Sequence, residues 1–117
     1  MADVASELAR TLIETLEDKK GEDILLLDLS EVCTFTDYFV ICNGGSERTL
    51  QALADETRRR MKQVHGRNAR ATEGSAASGW ILQDYGDVIL HIFSPAVRAY
   101  YRLEELWNGG RVLLRID

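Results

Sequence analysis

The chain has little of the material that defines several common protein classes. It contains one proline and two cysteines in 117 residues, which excludes collagen-like chains and small domains held together by disulfides. No apolar run approaches the roughly 18 to 20 residues that cross a bilayer. The start of the chain has no basic segment followed by an apolar one. We therefore expect a cytosolic protein with no membrane partner, or one whose targeting segment has been removed.

The two cysteines do not form a metal-binding pattern. Cys33 and Cys42 lie nine residues apart without a CxxC motif, and the two histidines, His65 and His91, are far from them at irregular spacing. A structural zinc site needs four converging ligands. We expect two reduced structural thiols, no metal and no other cofactor.

Basic residues are in the minority. The chain has 19 acidic and 14 basic residues, a net charge of −5, which argues against a surface built to neutralise phosphates. The first 37 residues alone contain ten acidic and three basic residues. We therefore expect an acidic face that attracts a cationic partner, and no direct specific nucleic-acid binding.

The apolar pattern is that of a single globular domain, with 45% apolar residues. A chain of this size buries roughly 65% of the surface that its unfolded form exposes, which is enough for a core. Helical spacing and short apolar runs predict an α/β fold in the order α-β-β-α-β-β-β-α. The predicted helices cover residues 3–18, 47–65 and 95–107, and the predicted strands cover residues 24–29, 38–42, 70–73, 80–84 and 88–93. We expect one domain over residues 1–108 and a tail over 109–117, which is compatible with an edge strand or with disorder.

The last two predicted strands are joined by a short link at Tyr85-Gly86, which indicates a tight hairpin. With Asp84 opposite Asp87, the pairing places Trp80 opposite His91. One face of the sheet then carries Trp80, Leu82, Ile89, His91 and Phe93. Because three helices cannot cover both faces of such a sheet, part of one face is expected to remain for a partner.

Four groups of residues are candidates for chemistry or for binding. The Gly44-Gly45-Ser46 turn is typical of either a phosphate-binding helix start or a plain turn. It also resembles the opening of a nucleotidyltransferase site, but the next acids, Asp55 and Glu56, are adjacent and helical rather than alternate on a strand, so the metal-binding pair is missing. We expect no enzyme; a nucleotidyl- or phosphoryl-transfer enzyme on the same fold is the alternative.

The other candidates also have two interpretations. Asp84 and Asp87 suit an acid/base pair, a metal-binding pair or an ordinary turn. His91 suits a general base or a packed or interface histidine, and no nucleophile is placed beside it. The basic run at residues 58–60 suits an RNA contact or a solvated helix end.

Several short segments, in this order and spacing, resemble the signature of the Iojap family, the bacterial and organellar ribosomal silencing factors. The resemblance covers about residues 5–108. The matching segments are Lys20-Gly21-Glu22-Asp23-Ile24, Leu27-Asp28, Thr36-Asp37-Tyr38-Phe39-Val40-Ile41, Gly44 and Ser46, Glu73-Gly74, Gly79-Trp80-Ile81, Asp84-Tyr85-Gly86-Asp87-Val88, His91-Ile92-Phe93, and Arg98, Tyr101, Leu103-Glu104 and Leu106-Trp107.

The resemblance implies a nucleotidyltransferase-like mixed sheet of about five strands, flanked by helices and without catalytic residues. It implies binding to the large ribosomal subunit through protein L-fourteen, a basic protein on the face that meets the small subunit. The bound factor would block subunit joining and repress translation when nutrients are short. A homodimer is a further implied use of the same surface.

The resemblance also implies which residues face the partner. The first candidates are Trp80, Asp84, Tyr85 and His91, followed by Asp37, Glu73, Asp87, Arg98 and Tyr101. Trp80 would be an apolar anchor, and the acids would pair with Lys or Arg of the partner. Since Trp80 and Tyr85 fall on opposite faces of the predicted hairpin, one of the two is expected to lie in the core.

Overall fold

The computed structural model describes residues 3–106 and 109–116. Trp107, predicted in the last helix, lies outside the described residues, as do the ends of the predicted domain at residues 1 and 108 and the last residue of the predicted tail. The elements are α1 (Val4–Asp18), β1 (Glu22–Asp28), β2 (Tyr38–Asn43), α2 (Glu47–His65), β3 (Ala71–Ser75), β4 (Trp80–Asp84), β5 (Val88–Phe93), α3 (Pro95–Tyr101), α4 (Leu103–Leu106) and β6 (Arg111–Ile116).

Helices α1, α2 and α3 begin where the sequence predicts, because each has a side chain that caps its first turn. The Asp3 carboxylate accepts a hydrogen bond from the Ser6 backbone N–H at 2.8 Å, and the Ser46 hydroxyl accepts one from Thr49. Ser94 caps α3, with Pro95 at its first position. These caps satisfy N–H groups that have no partner inside a helix.

The sheet has six strands in the order β3-β4-β5-β2-β1-β6. Strands β1 and β2 are antiparallel neighbours, as predicted, and β2 and β5 are a parallel pair at the centre. The sixth strand, β6, pairs antiparallel with β1. It comes from the tail, for which the sequence allowed either an edge strand or disorder, so the sheet has one strand more than the expected five.

The two faces of the sheet carry separate cores. Helix α1 packs on β1, β2 and β5, and α2 packs on β4 and β5, so these two helices cover one face. Their buried side chains include Leu8, Leu12, Leu16, Leu50, Leu53 and Met61. The opposite face is built around Leu25, Leu27, Leu29, Phe39, Ile41, Ile89, Phe93 and Leu103. Of the described helices, only α3 and α4, which are much shorter than α1 and α2, contribute to it.

The predicted register of the β4–β5 hairpin is wrong by two residues. Asp84 pairs with Ile89, not with Asp87, and Trp80 pairs with Phe93, not with His91. The Tyr85 N–H donates to the Val88 carbonyl at 2.9 Å, so the two-residue turn is Gly86-Asp87, and Gly86 supplies the positive φ of 89°. Because the shift is an even number of residues, the predicted set still shares one face.

The last predicted helix is interrupted. Arg102 has a positive φ of 49°, an uncommon conformation for a residue with a side chain, and its N–H bonds to the Arg98 carbonyl as α3 ends. A short helix, α4, follows. The break lets the chain turn so that Leu103 is buried against the second core.

We expect Gly74→Ala to destabilise the fold by about 2 to 4 kcal/mol. A Cβ at residue 74 would lie 1.9 Å from the backbone oxygen of Trp80, and φ is +81°, so β3 would have to separate from β4. The matched control is Gly66→Ala, also at positive φ but with no atom within 4 Å of the added Cβ, which should cost only about 1 kcal/mol. If urea unfolding shows that both variants lose the same free energy of unfolding, the prediction is contradicted.

Candidate partner-binding site

Part of the second face of the sheet is open. Helix α3 lies over β5, which leaves the neighbouring residues of β3 and β4 beside it uncovered. The result is a groove of about 530 Å³, which we call the aromatic groove. It is lined by Glu73, Gly74, Ser78, Trp80, Leu82, Ala96, Val97, Tyr100 and Tyr101.

Aromatic rings form one wall of the aromatic groove. The Trp80 ring centre lies 4.9 Å from that of Phe93 and 4.9 Å from that of Tyr101. Tyr100 contacts Tyr101 edge-on, with ring centres 5.2 Å apart. Tyr100 is 81% exposed and Tyr101 is 48% exposed. Exposed, rigid aromatic side chains beside an apolar groove are typical of a protein interface.

A buried histidine lies next to Trp80. His91 is 3% exposed, and its Nδ1 accepts a hydrogen bond from the indole Nε1–H of Trp80 at 3.1 Å. Its ring also contacts Phe39 edge-on, with ring centres 4.5 Å apart. Burial lowers the pKa of His91 to about 3, because the charged imidazolium would lose its hydration. His91 is therefore neutral at pH 7.

Two acids share the face of the aromatic groove. Glu73 on β3 pairs with Leu82 on β4, so its side chain projects on the same side of the sheet, and it is exposed. Asp84 ends β4 on that side, about 13 Å from Trp80 at a rise of about 3.3 Å per residue. The Asp84 carboxylate accepts from the Gly86 N–H at 2.7 Å and pairs with Arg70 at 3.1 Å.

Asp37 and Asp87 lie together at the end of the sheet. The Asp37 backbone N–H donates to the Asp87 carbonyl at 3.0 Å, which holds the start of β2 beside the β4–β5 turn. The Asp87 carboxylate is exposed and lies 3.9 Å from the Arg67 guanidinium. These two acids therefore lie at the same end of the sheet as Asp84.

Tyr85 lies in the core on the other face of the sheet. It is 4% exposed, and its hydroxyl donates to the Gln83 Oε1 at 2.8 Å. The hydroxyl of Thr57 on α2 donates to the same oxygen at 3.2 Å. Burial raises the pKa of Tyr85 to about 12. Tyr85 offers no surface to a partner, whereas Trp80, the other residue of the pair left open by the sequence, is half-buried and lines the aromatic groove.

Arg98 is also buried, on the side of α3 away from the aromatic groove. Its guanidinium donates to the Asp23 carbonyl at 2.5 Å and to the Asn43 side-chain oxygen at 3.0 Å. These bonds join α3 to the start of β1 and the end of β2. Arg98 therefore holds in place the helix that forms one side of the aromatic groove.

The structure brings together Glu73, Trp80 and Tyr101 of the predicted set, with His91 beneath them and Asp84 farther along the same face. It also adds Leu82, Val97 and Tyr100, which the predicted site omits. The spacing of residues 97, 100 and 101 on one helical face was the available signal. The sequence could not show that this face of α3 borders an uncovered part of the sheet.

The Gly44-Gly45-Ser46 turn serves as the start of α2, with Ser46 as its cap. The acids that follow it are paired within the helix, Asp55 with Arg58 at 2.7 Å and Glu56 with Arg59. Within residues 3–106 and 109–116, no three His, Cys, Asp or Glu side chains are grouped to hold a metal. Cys33 and Cys42 are free thiols, and burial raises the pKa of Cys42 to about 12.

The arginines at residues 58–60 of α2 are paired with acidic side chains. Arg58 and Arg59 pair with acids on their own helix, and Arg60 pairs with Asp18 of α1 at 3.0 Å.

In the part of the chain that the structure describes, no helix has both the length and the apolar content of a membrane span.

Comparison with known proteins identifies the family. A family model described as ribosomal silencing factor during starvation matches residues 2–115. The chain belongs to this family. It is 38% identical to the ribosomal silencing factor of Halalkalibacterium halodurans over 104 residues, which covers 89% of this chain and 88% of that protein.

A solved structure and an organellar relative agree with this assignment. A crystal structure of a Chromobacterium violaceum protein matches 98% of this chain and 94% of its own, with a TM-score of 0.85 and 36% identity. A mouse protein named mitochondrial assembly of ribosomal large subunit protein 1 is 32% identical over 99 residues, 83% of this chain and 43% of that protein. The predicted α/β fold and the family resemblance are thus confirmed.

We expect the free energy of unfolding to fall as the pH is lowered from about 6.5 towards 5, in part through His91. Its pKa is lower in the folded chain, about 3 against an ordinary 6.5, so the unfolded chain binds the proton more readily. The contribution of neutral His91 to the free energy of unfolding is complete above pH 6.5. Below pH 6.5 it falls by about 1.4 kcal/mol for each pH unit. Urea unfolding of wild type and His91→Phe at several pH values measures this, and identical pH slopes would contradict it.

Proposed function

We propose that the protein binds the large ribosomal subunit through protein L-fourteen and sterically blocks joining of the small subunit, repressing translation when nutrients are limited. Family membership supports the general role, and the name of the mouse relative supports the choice of subunit. The observation that carries the proposal is the aromatic groove, an uncovered apolar surface with Glu73 beside it. This combination suits a basic protein that presents an apolar side chain next to Lys or Arg.

Trp80 and Tyr101 are the proposed anchors. Large aromatic side chains in a partly formed pocket contribute most of the binding free energy at typical interfaces, because they exclude water from a wide area. Leu82 and Val97 complete the apolar floor of the groove. We propose that an aliphatic or aromatic side chain of the partner enters here.

The acids along the open face are proposed to pair with cations of the partner. Glu73 lies beside the anchors and Asp84 lies farther along the same face, while Asp37 and Asp87 lie at the end of the sheet. Complementary charge speeds association and fixes orientation more than it adds affinity. We propose that Glu73 and Asp84, which share this face, set how the partner lies across β3 and β4.

The proposed action needs no catalytic group. The domain measures 36 × 33 × 25 Å, so once bound at the intersubunit face it would occupy space that the small subunit needs. We propose the cytoplasm as its place of action, as for a bacterial ribosome-binding factor. Dimerisation through the same groove stays a prediction, and sedimentation of the free protein and of its mixture with large subunits would test it.

The first test is subunit joining. Purified protein is added to separated subunits and joining is followed by light scattering. We expect joining to decrease with increasing protein and the protein to sediment with the large subunit only. Undiminished joining at saturating protein, or binding to intact ribosomes without any effect on joining, would contradict the proposal.

The second test removes the anchor. Trp80→Ala should weaken binding to large subunits by about 2 kcal/mol or more, roughly 30-fold, because the groove loses its main apolar wall. Val64→Ala is the control, since Val64 is an exposed apolar residue of α2 on the opposite face. An equal effect in both variants would show that the groove is not the binding surface.

The third test reverses one charge. Glu73→Lys should weaken binding about tenfold, with a smaller dependence on salt, because it places a cation against a cationic partner. Glu17→Lys on α1 makes the same change in net charge at an exposed position on the other side of the sheet. If both variants bind equally well, Glu73 does not face the partner.

A further inference from the structure

We propose that His91 is a positioning residue: its Nδ1 holds the indole of Trp80 in the orientation that forms the wall of the aromatic groove. This inference rests on the proposed function, because it assigns the histidine to the anchor of that surface. The hydrogen bond from Trp80 on β4 to His91 on β5 runs diagonally between the strands. Leu82 is directly opposite His91, and Phe93 is directly opposite Trp80.

The hydrogen bond defines the state of both rings. The indole Nε1–H is the only polar group of a tryptophan side chain, and it donates to His91 Nδ1 at 3.1 Å. An accepting Nδ1 in a neutral imidazole requires the proton to be on Nε2. Nε2 is buried, and among the described residues it has no hydrogen-bond partner.

Because Nε2 has no partner in residues 3–106 and 109–116, stability is a poor explanation for a histidine here. A buried N–H without a partner costs free energy, and an apolar ring of similar size would avoid that cost. The surroundings are apolar, because the His91 ring lies between Phe39, 4.5 Å away, and Phe93, 6.0 Å away. What an apolar ring could not provide is the acceptor for Trp80.

The burial of His91 also restricts the movement of its Nδ1, the acceptor for Trp80. His91 is 3% exposed and its ring lies near those of Phe39 and Phe93, so packing helps to hold Nδ1 in place. Without an acceptor, the Trp80 N–H would have to turn towards water to be satisfied. That rotation would change the wall shared with Tyr101, and the groove would lose its shape.

Two substitutions separate this role from a structural one. His91→Phe keeps a ring and removes the acceptor, whereas His91→Asn removes ring volume but keeps an oxygen near the place of Nδ1. The chain has two tryptophans, so a Trp107→Phe background makes Trp80 the only indole reporter. Ile89→Val, on the same strand and face, is the control for a small core change.

For His91→Phe we expect unchanged or higher stability in urea, a red shift of Trp80 fluorescence, and at least tenfold weaker binding to large subunits. For His91→Asn we expect lower stability, unshifted fluorescence, and binding within about threefold of wild type. Affinity for large subunits should thus depend on whether residue 91 offers a hydrogen-bond acceptor to Trp80. Stability should depend instead on whether residue 91 fills the volume of a ring. Ile89→Val should bind as wild type does.

The inference is overturned if His91→Phe leaves both fluorescence and affinity unchanged, or if affinity falls only in proportion to stability across the three variants. A double-mutant cycle adds a check, because His91→Phe should have no further effect on affinity once Trp80 is Phe. If Trp80→Ala itself does not weaken binding, the proposed function fails instead, and the fluorescence of the two His91 variants still decides whether the histidine positions the indole.

Discussion

The arrangement of this protein depends on one constraint: its sheet is apolar on both faces, but only one face receives long helices. Helices α1 and α2 bury the residues that point to their side. The other face has to be covered by the short helices α3 and α4. Because α3 has only seven residues, or about 10 Å of length, it covers β5 and leaves the side chains of β3 and β4 beside it open.

The strand β4 shows how the two faces have different uses. Ile81 and Gln83 point towards α2, where Gln83 bonds to Thr57 and Tyr85 in a buried polar network. Trp80, Leu82 and Asp84 point the other way, along the open face. Alternation along a strand thus places a network that secures the fold and a surface for a partner within five residues.

Much of the fold could be predicted from local rules. Caps at Ser46 and Ser94 fixed where helices begin, and apolar runs fixed the strands. The register of the last hairpin could not be predicted, because the turn at Gly86-Asp87 and the one assumed at Tyr85-Gly86 are both tight turns that use the same glycine. The faces were still assigned correctly, since a shift of two residues preserves the alternation.

The candidate site was harder to predict, because residue type does not reveal burial. Tyr85 and Arg98 belong to types that are common at interfaces, yet contacts from distant elements bury both: Thr57 and Gln83 around Tyr85, and Asn43 and the Asp23 carbonyl around Arg98. Tyr100 and Tyr101 are of the same residue type as Tyr85 but remain exposed, because no element among the described residues covers that side of α3.

The pairing of His91 with Trp80 shows why a buried polar residue can indicate function. On a face made of leucine, isoleucine and phenylalanine, a histidine whose second nitrogen has no partner among the described residues is a less stable choice than an apolar ring. Its one hydrogen bond goes to the residue that forms the wall of the groove. We therefore attribute the stability lost by burying His91 to its role in keeping the shape of the aromatic groove, where the partner is proposed to bind.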